Sequence, residues 1–337
     1  MKTRLAVVIL NWNGKKYLEK FLPVLLQYCP EYAEVIVADN ASSDDSVSFL
    51  QENYPRLRII RNNFNGGFSK GYNDALKLVD SEYYCLLNSD IEVTANWIDP
   101  IIMQMDADPM IAAVQPKLRS YVNRDFFEYA GASGGFLDKF GYPFCRGRLF
   151  ESVEKDNGQY DDPIEVFWAT GAALFVKSEI YHRVGGLDED FFAHMEEIDF
   201  CWRIKNKGYK VMINPSSVVY HIGGGTLPKN NELKTYLNFR NNLFVLLKNL
   251  PSNRLFVTFF VRFFLDKVAA MLFLAQGHGK DFLAVYKALF AFLKNFKRMK
   301  RKRGGGAKEA FADTCKHSIV FVHYIGRKRF FNGKKFI

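Results

Sequence analysis

The chain has 337 residues, 48% hydrophobic and 16% aromatic, which is enough for two domains or for one large domain with an appendage. Its five cysteines (Cys29, Cys85, Cys145, Cys201 and Cys315) are scattered and contain no CxxC pair, which excludes a spaced zinc site and a disulfide frame and fits a reduced compartment. The net charge of +10 is uneven: residues 1–250 hold 27 Lys and Arg against 32 Asp and Glu, and residues 251–337 hold 19 against 4, so an anionic partner would meet the C-terminal segment.

Leu5 to Leu10 is a continuous apolar run ending in Asn11-Trp12-Asn13-Gly14. It is too short for the apolar region of a signal peptide, so it reads as a buried strand and the chain as cytoplasmic. Helical spacing follows from Lys15 to Tyr28. Glu34 to Ala38 is a second strand, ending at Asp39-Asn40. Ser43 and Asp44 can cap a helix that runs toward Tyr54 and stops at Pro55. Leu57 to Ile60 is a third strand, Asn62 to Gly67 a polar loop, Ser69 to Val79 a helix. Tyr83 to Leu87 is a fourth strand, ending at Asn88-Ser89-Asp90. Apolar strands separated by amphipathic helices predict an α/β fold with a mostly parallel sheet covered on both faces. Ligands of such sheets bind beyond the carboxyl ends of the strands, and all four polar clusters fall there. Residues 116–225 are less regular and rich in glycine and aromatics. From Asn231 the pattern is helical.

Each cluster admits a bland and a chemical reading. Asp39 either caps the next helix or accepts hydrogen bonds from a base or ribose. Asn65-Gly66-Gly67-Phe68-Ser69-Lys70 is either an ordinary glycine turn or an anion cradle at a helix N-terminus, with Lys70 adding a cation. Asp90 either caps a turn or holds a hard cation on a diphosphate; Asn88, at the other outer position, is not a carboxylate. In Glu196-Glu197-Ile198-Asp199-Phe200-Cys201-Trp202-Arg203, helical spacing puts Glu196, Asp199 and Arg203 on one face. That face is either solvated or, as the aromatic stretch Phe191-Phe192 before it favours, part of a cleft. Crowded carboxylates there raise one another's pKa and suit a general base. His221, before Gly223-Gly224-Gly225, is either structural or a metal or phosphate ligand.

Taken in order, the set from Val7-Val8-Ile9-Leu10-Asn11-Trp12-Asn13-Gly14, through Asp39-Asn40-Ala41-Ser42-Ser43-Asp44, Asn65-Gly66-Gly67, Asn88-Ser89-Asp90, Trp168-Ala169-Thr170-Gly171-Ala172 and Glu196 to Arg203, to Val219-Tyr220-His221, resembles glycosyltransferase family 2. These are inverting enzymes of the GT-A fold, and the similarity is greatest to rhamnosyltransferase-like members that build bacterial surface polysaccharides. It spans roughly residues 5–245, including Tyr236 and Arg240-Asn241. The resemblance implies a nucleotide-sugar donor on Asn11, Asn13, Asp39, Asn65, Gly67, Lys70, Asn88 and Asp90. It implies a divalent metal, Mg2+ or Mn2+, on Asp90 and His221. Trp168, Gly171, Ala172 and Arg203 would face a saccharide or lipid-linked saccharide acceptor. Glu197 occupies the base position, with Glu196 as the alternative and Asp199 in the same cluster. Rival readings are a nucleotide-dependent oxidoreductase, which predicts G-x-G-x-x-G after the first strand where this chain has Asn11-Trp12-Asn13-Gly14, and a non-catalytic carbohydrate-binding protein at the membrane.

These readings divide the chain into a nucleotide-sugar half (1–115), an acceptor and catalytic half (116–250) and a basic helical segment (251–337). In the last, Thr258, Arg262 and Asp266 form a narrow polar stripe on an apolar helix, with too many charges for a membrane span. Phe282, Tyr286, Leu289, Leu293 and Phe296 share a second apolar face, with Lys280, Lys287, Lys294 and Arg298 away from it. The segment either packs on the catalytic domain with a solvated tail or binds in the plane of an anionic membrane surface at the inner face of the cell membrane. No recognition module accompanies the charge, so nucleic acid is not an expected partner.

Overall fold

The computed structural model describes residues 3–223, 231–304 and 314–331. The first strand, β1 (Thr3–Asn11), is buried along nearly all its length, as its unbroken apolar run requires. Then come α1 (Lys15–Gln27), β2 (Ala33–Asp39), α2 (Ser46–Asn53), β3 (Arg58–Arg61), α3 (Gly67–Leu76), β4 (Ser81–Asn88), β5 (Ile91–Val93), α4 (Asp99–Ala107) and β6 (Ile111–Ser120). Four short strands follow: β7 (Gly135–Leu137), β8 (Pro143–Cys145), β9 (Arg148–Leu149) and β10 (Ser152–Val153). The chain continues through β11 (Ala173–Lys177), α5 (Ser178–Arg183), a 3-10 turn at Glu189–Phe191, α6 (Glu196–Lys205) and β12 (Lys210–His221). Three long helices, α7 (Glu232–Asn249), α8 (Ser252–Ala275) and α9 (Gly279–Arg301), precede a short tail.

The main sheet has the order β3-β2-β1-β4-β11-β6-β12-β5. Its left half is parallel. β11 runs antiparallel between β4 and β6, and β5 antiparallel beside β12. β6 crosses the expected boundary near residue 115, so the segments on either side of that boundary share one sheet. The register sets the rim: Asn11 lies opposite Asp39 and Leu10 opposite Asn88, so the polar ends of β1, β2 and β4 line up. Two cores flank the sheet. One, around Val7, Val37, Trp97 and Met105, lies under α1 and α4; the other, around Tyr72, Phe200 and Phe244, lies under α3, α6 and α7.

The segment from 251 onward is built into the molecule. Thr258, Arg262 and Asp266 point inward: Arg262 bonds Asp266 and Asn242, and Tyr142 donates to Asp266 at 2.9 Å. The tail returns to the four-stranded sheet. There Cys315 N donates to Leu137 O, Ile319 N donates to Asp138 at 3.0 Å, and Phe331 stacks on Phe136. No described helix is long and apolar enough to cross a membrane.

Candidate functional site

The polar rim at the strand ends is a network of short amides, carboxylates and hydroxyls. Asn11 Nδ2 donates to Asp39 Oδ1 and to Ser42 Oγ, both at 3.2 Å. Asp39 Oδ2 accepts from Ser42 N at 3.0 Å. Asp39 therefore fixes the turn after β2, while Asp44 Oδ1 accepts Ser46 N at the start of α2. Asn13 Oδ1 takes Ser43 N at 2.7 Å and ties the two turns together. Asn40, unassigned from sequence, is the hub: its amide donates to Asn65 Oδ1 and Gly67 O, and its carbonyl oxygen accepts from Asn62. The Asn11 Oδ1 atom, buried and unpartnered among the described residues, is left over.

The N-terminus of α3 differs from the expected anion cradle. Gly67 N donates to Asn65 Oδ1 at 2.9 Å and Phe68 N to Phe192 O at 2.7 Å, so two of the N–H groups meant for an anion are already bonded. Lys70 pairs with Asp74 at 2.8 Å and lies 3.9 Å from Glu189, so its charge is locally balanced. Gly67 has a glycine-specific reason. Its φ is +85°, and a Cβ there would lie 2.5 Å from the Phe192 carbonyl oxygen.

Asp90 follows β4, and β12 brings His221 beside it. His221 Nε2 lies 3.1 Å from Asp90 Oδ1, and its Nδ1 3.4 Å from Glu128 Oε1, all three side chains being buried. Burial works against charge on His221, but the two carboxylates outweigh it and push the imidazole up to about 10. Burial likewise works to raise Asp90, but His221 outweighs it and holds the carboxyl below its usual value. Glu128 had no sequence signal, because it sits in an irregular stretch with no periodicity. The carboxylate oxygens fit a hard divalent cation in chemistry, and His221 would join them as a ligand on giving up the proton that Asp90 and Glu128 hold on it. Among the described residues, however, no three His, Cys, Asp or Glu side chains converge to hold an ion alone. Ligand oxygens would have to complete such a site.

The acidic cluster opens α6. Glu196 is buried and Glu197 half-buried, so the acidic face is not a solvated one. Burial pushes Glu197 up to about 7. Burial, and then the Glu197 charge, push Glu196 well above the carboxylate range. One oxygen of each is buried without a partner among the described residues. Gly171 stands over Glu197: a Cβ there would lie 3.8 Å from Glu197 Cβ and 3.1 Å from the Phe68 ring. The loop leading into α6 is strained, with Phe192, His194 and Met195 all at positive φ between 65° and 73°. It is held by α7: Asn241 Nδ2 lies 2.7–2.9 Å from the carbonyls of Phe191, Ala193 and His194, and Arg240 bonds those of Asp190 and Phe191. Burial and the Lys234 ammonium push His194 down to about 4, which leaves a neutral imidazole.

Comparison with known proteins gives the family and the fold. Residues 6–174 match the model of Glycosyl transferase family 2. The chain belongs to that family. This family 2 chain is 25% identical over 235 residues to the N-acetylglucosaminyl-diphospho-decaprenol L-rhamnosyltransferase of Mycobacterium tuberculosis, covering 64% of this chain and 75% of that one. It is 23% identical over 267 residues to a low-salt glycan biosynthesis hexosyltransferase of Haloferax volcanii, covering 75% and 76%. Among solved structures it resembles GalNAc-T7 with UDP, GalNAc and Mn2+ (TM-score 0.60, 15% identity), covering 88% of this chain but only 58% of that one. It also resembles the mannosyltransferase PcManGT of Pyrobaculum calidifontis with GDP-Man and Mn2+ (TM-score 0.52, 17% identity, 93% and 78% covered). The fold is GT-A.

Within this family 2 chain, three expected site residues have structural duties. Asp199 is fully buried: burial would raise its carboxyl, but Lys248 and Arg203 hold it below the usual range. Its oxygens bond Arg203, Lys248 and Asn249 at 2.8 Å each, which ties α6 to α7. Arg203 also donates to the Val184 and Gly186 carbonyls at 2.6 and 2.8 Å, so none of its arms is directed at an acceptor. Trp168 is a core residue, its Nε1 donating to Phe136 O at 3.0 Å and its ring lying flush on Gly135. Ala172 O accepts from Asn88 N at 2.9 Å, which joins the Trp168–Ala172 segment to the rim. Gly224 and Gly225, after His221, lie outside the described residues.

Proposed function

We propose that this family 2 transferase is an inverting enzyme that moves a sugar from a nucleotide-sugar donor to a hydroxyl of a saccharide or lipid-linked saccharide in surface-polysaccharide synthesis. The single carrying observation is the Glu196–Glu197 pair beside Gly171 and the strained loop, Glu196 buried and Glu197 half-buried, with burial pushing the Glu197 carboxyl up to about 7. One carboxylate of this pair, Glu197 by its place in the motif, takes the acceptor hydroxyl proton as that oxygen attacks the anomeric carbon. The bond from that carbon to the diphosphate oxygen breaks in the same displacement, so the centre inverts through an oxocarbenium-like state. Asn11, Asn13 and Asp39 would hold the nucleoside, and Asn65, Gly67, Asn88 and Asp90 the side of the diphosphate and sugar. A divalent cation, Mg2+ or Mn2+, held by Asp90 and His221 would supply charge neutralisation at the leaving diphosphate when bound. The rhamnosyltransferase name of the mycobacterial relative makes nucleotide-activated L-rhamnose the first donor to try.

The enzyme would work at the cytoplasmic face of the membrane, where each Lys or Arg of the C-terminal segment near an anionic leaflet adds about 1 kcal/mol of attraction. The test is Glu197→Gln, assayed with a panel of nucleotide sugars. Donor binding should persist while transfer falls by about 10²-fold or more, the range of a lost general base. Full transfer in that variant would overturn the base assignment. Binding without transfer in the wild type, across all donors and acceptors, would favour a carbohydrate-binding protein.

A further inference from the structure

The helix α8 is inside out. Its polar residues Thr258, Arg262 and Asp266, four apart, are buried, Arg262 to 2% exposure. Arg262 is locked by Asp266, Asn242, the Phe140 carbonyl and the Tyr142 ring, 4.0 Å from its guanidinium carbon. That anchoring fixes the rotation of the helix. The opposite face then presents Phe256, Phe260, Phe264, Val268 and Met271 to the outside, each more than half exposed and Phe256 80% exposed. At a spacing of three or four residues these side chains form one stripe. A monomer in water does not keep so large a contiguous apolar strip without a use for it.

The next helix, α9, folds back on α8 through residues 276–278 and packs against it. It adds Leu283 and Phe290, the latter 71% exposed, and beside them Lys280, Lys287 and Lys294, which recur every seven residues and are also exposed. An apolar band edged by a lysine row matches an anionic leaflet, with rings among the acyl chains and ammonium groups at the headgroups. A second copy of this chain fits less well, because a two-fold contact through this face would bring the lysine rows toward each other.

We propose that α8 lies flat within the outer part of an anionic bilayer, inserted by its phenylalanine face, with the α9 lysines seated on the lipid headgroups. The inference deepens the membrane part of the reading above and does not depend on glycosyl transfer. It also moves the main attachment from the lysines and arginines of the C-terminal segment to the apolar face of α8.

The test uses the full chain and vesicles of phosphatidylcholine with and without phosphatidylglycerol. At about 1 M salt, where the Debye length is about 3 Å, charge attraction is nearly lost and insertion is not. The wild type should still sediment with anionic vesicles there. Phe256→Ser/Phe260→Ser/Phe264→Ser should weaken binding by about tenfold or more at both salt levels, from the apolar area withdrawn. Lys280→Gln/Lys287→Gln/Lys294→Gln should weaken it only at low salt. Complete release of the wild type by salt, or a phenylalanine variant that binds as well as wild type, overturns the inference. So does a solution dimer that the phenylalanine variant breaks while lipid binding is unchanged. Should the triple variant misfold, Phe260→Trp serves instead: its emission should be quenched by brominated lipid beyond the wild-type level, and no added quenching is a negative result. Transfer to a water-soluble acceptor, measured alongside, reports on the enzymatic reading separately.

Discussion

At the scale of single residues, Glu196 and Glu197 set the pH behaviour. The Glu197 shift comes from burial alone, whereas Glu196 also feels the Glu197 charge. The pair therefore gives up its first proton near 7, a property of the pair rather than of either residue. A base must be ionised, so kcat/KM should rise with pH across about 7, and Glu197→Gln should abolish that limb. The stability sign is the opposite. A carboxyl raised in the fold contributes stability that is complete below about 4.5 and is lost as pH rises through about 7. Glu197→Gln should therefore gain melting temperature relative to wild type at about pH 8 and lose that advantage at about pH 5. A constant difference across that range would contradict the assigned burial. Gly67 makes a second prediction at this scale. Its left-handed backbone costs a non-glycine residue about 1–3 kcal/mol, and the added methyl meets the Phe192 carbonyl, so Gly67→Ala should lower both melting temperature and kcat.

Legibility at this scale followed position on the rim. Asn11, Asp39, Asn88 and Asp90 stand at strand ends, which the apolar runs mark plainly. Trp168 and Arg203 were misread because a conformational duty and a binding duty leave the same letter in a sequence. Glu128 was invisible because its partner, His221, is more than ninety residues away and no regular element links them.

At the scale of elements, the loop leading into α6 is a strained piece held between helices. Magnitudes separate its tethers. Lys248 is buried between Asp188, 2.5 Å away, and Asp199, so removing it takes away the ammonium they share and leaves Asp188 to Lys302 and Asp199 to Arg203 and Asn249. Lys248→Ala should cost about 3 kcal/mol, the low end for a broken buried pair, because each carboxylate keeps another cation. Arg298, more than half exposed beside Asp190, belongs to the class of surface pairs worth about 0–1 kcal/mol, and Arg298→Ala should scarcely change the denaturant midpoint. Equal losses in the two variants would contradict this ranking. The helical period of α6, with Asp199 and Arg203 four apart, was readable and correct. The rotation of α8 was not, since a polar stripe on an apolar helix fits either an inward or an outward orientation until its partners, Asn242 and Tyr142, are known.

At the scale of the whole molecule, the charge division at residue 250 is a division of composition rather than of structure. The basic part reaches back twice. Arg303 bonds the Leu247 carbonyl at 2.6 Å, and Lys302 bonds Asp188 at 2.5 Å, just before the strained loop that leads into α6. The tail then runs to the far side, where Phe331 is buried, packs on the Phe136, Phe144 and Tyr160 rings, and accepts the Tyr160 hydroxyl at 2.8 Å on its carbonyl. Deleting the segment from 251 would therefore strip a wall from the core as well as any membrane contact, and a loss of vesicle binding after such a deletion would not distinguish the two. A point substitution does. Phe331→Ala opens a cavity under the four-stranded sheet and should cost about 3–5 kcal/mol, the range for a buried phenylalanine. Because Phe331 lies on neither α8 nor α9, vesicle binding of the folded variant should match wild type. A variant that keeps its stability would show that the tail rests on the sheet without supporting it, and one that stays folded but leaves the membrane would place the lipid contact in the tail.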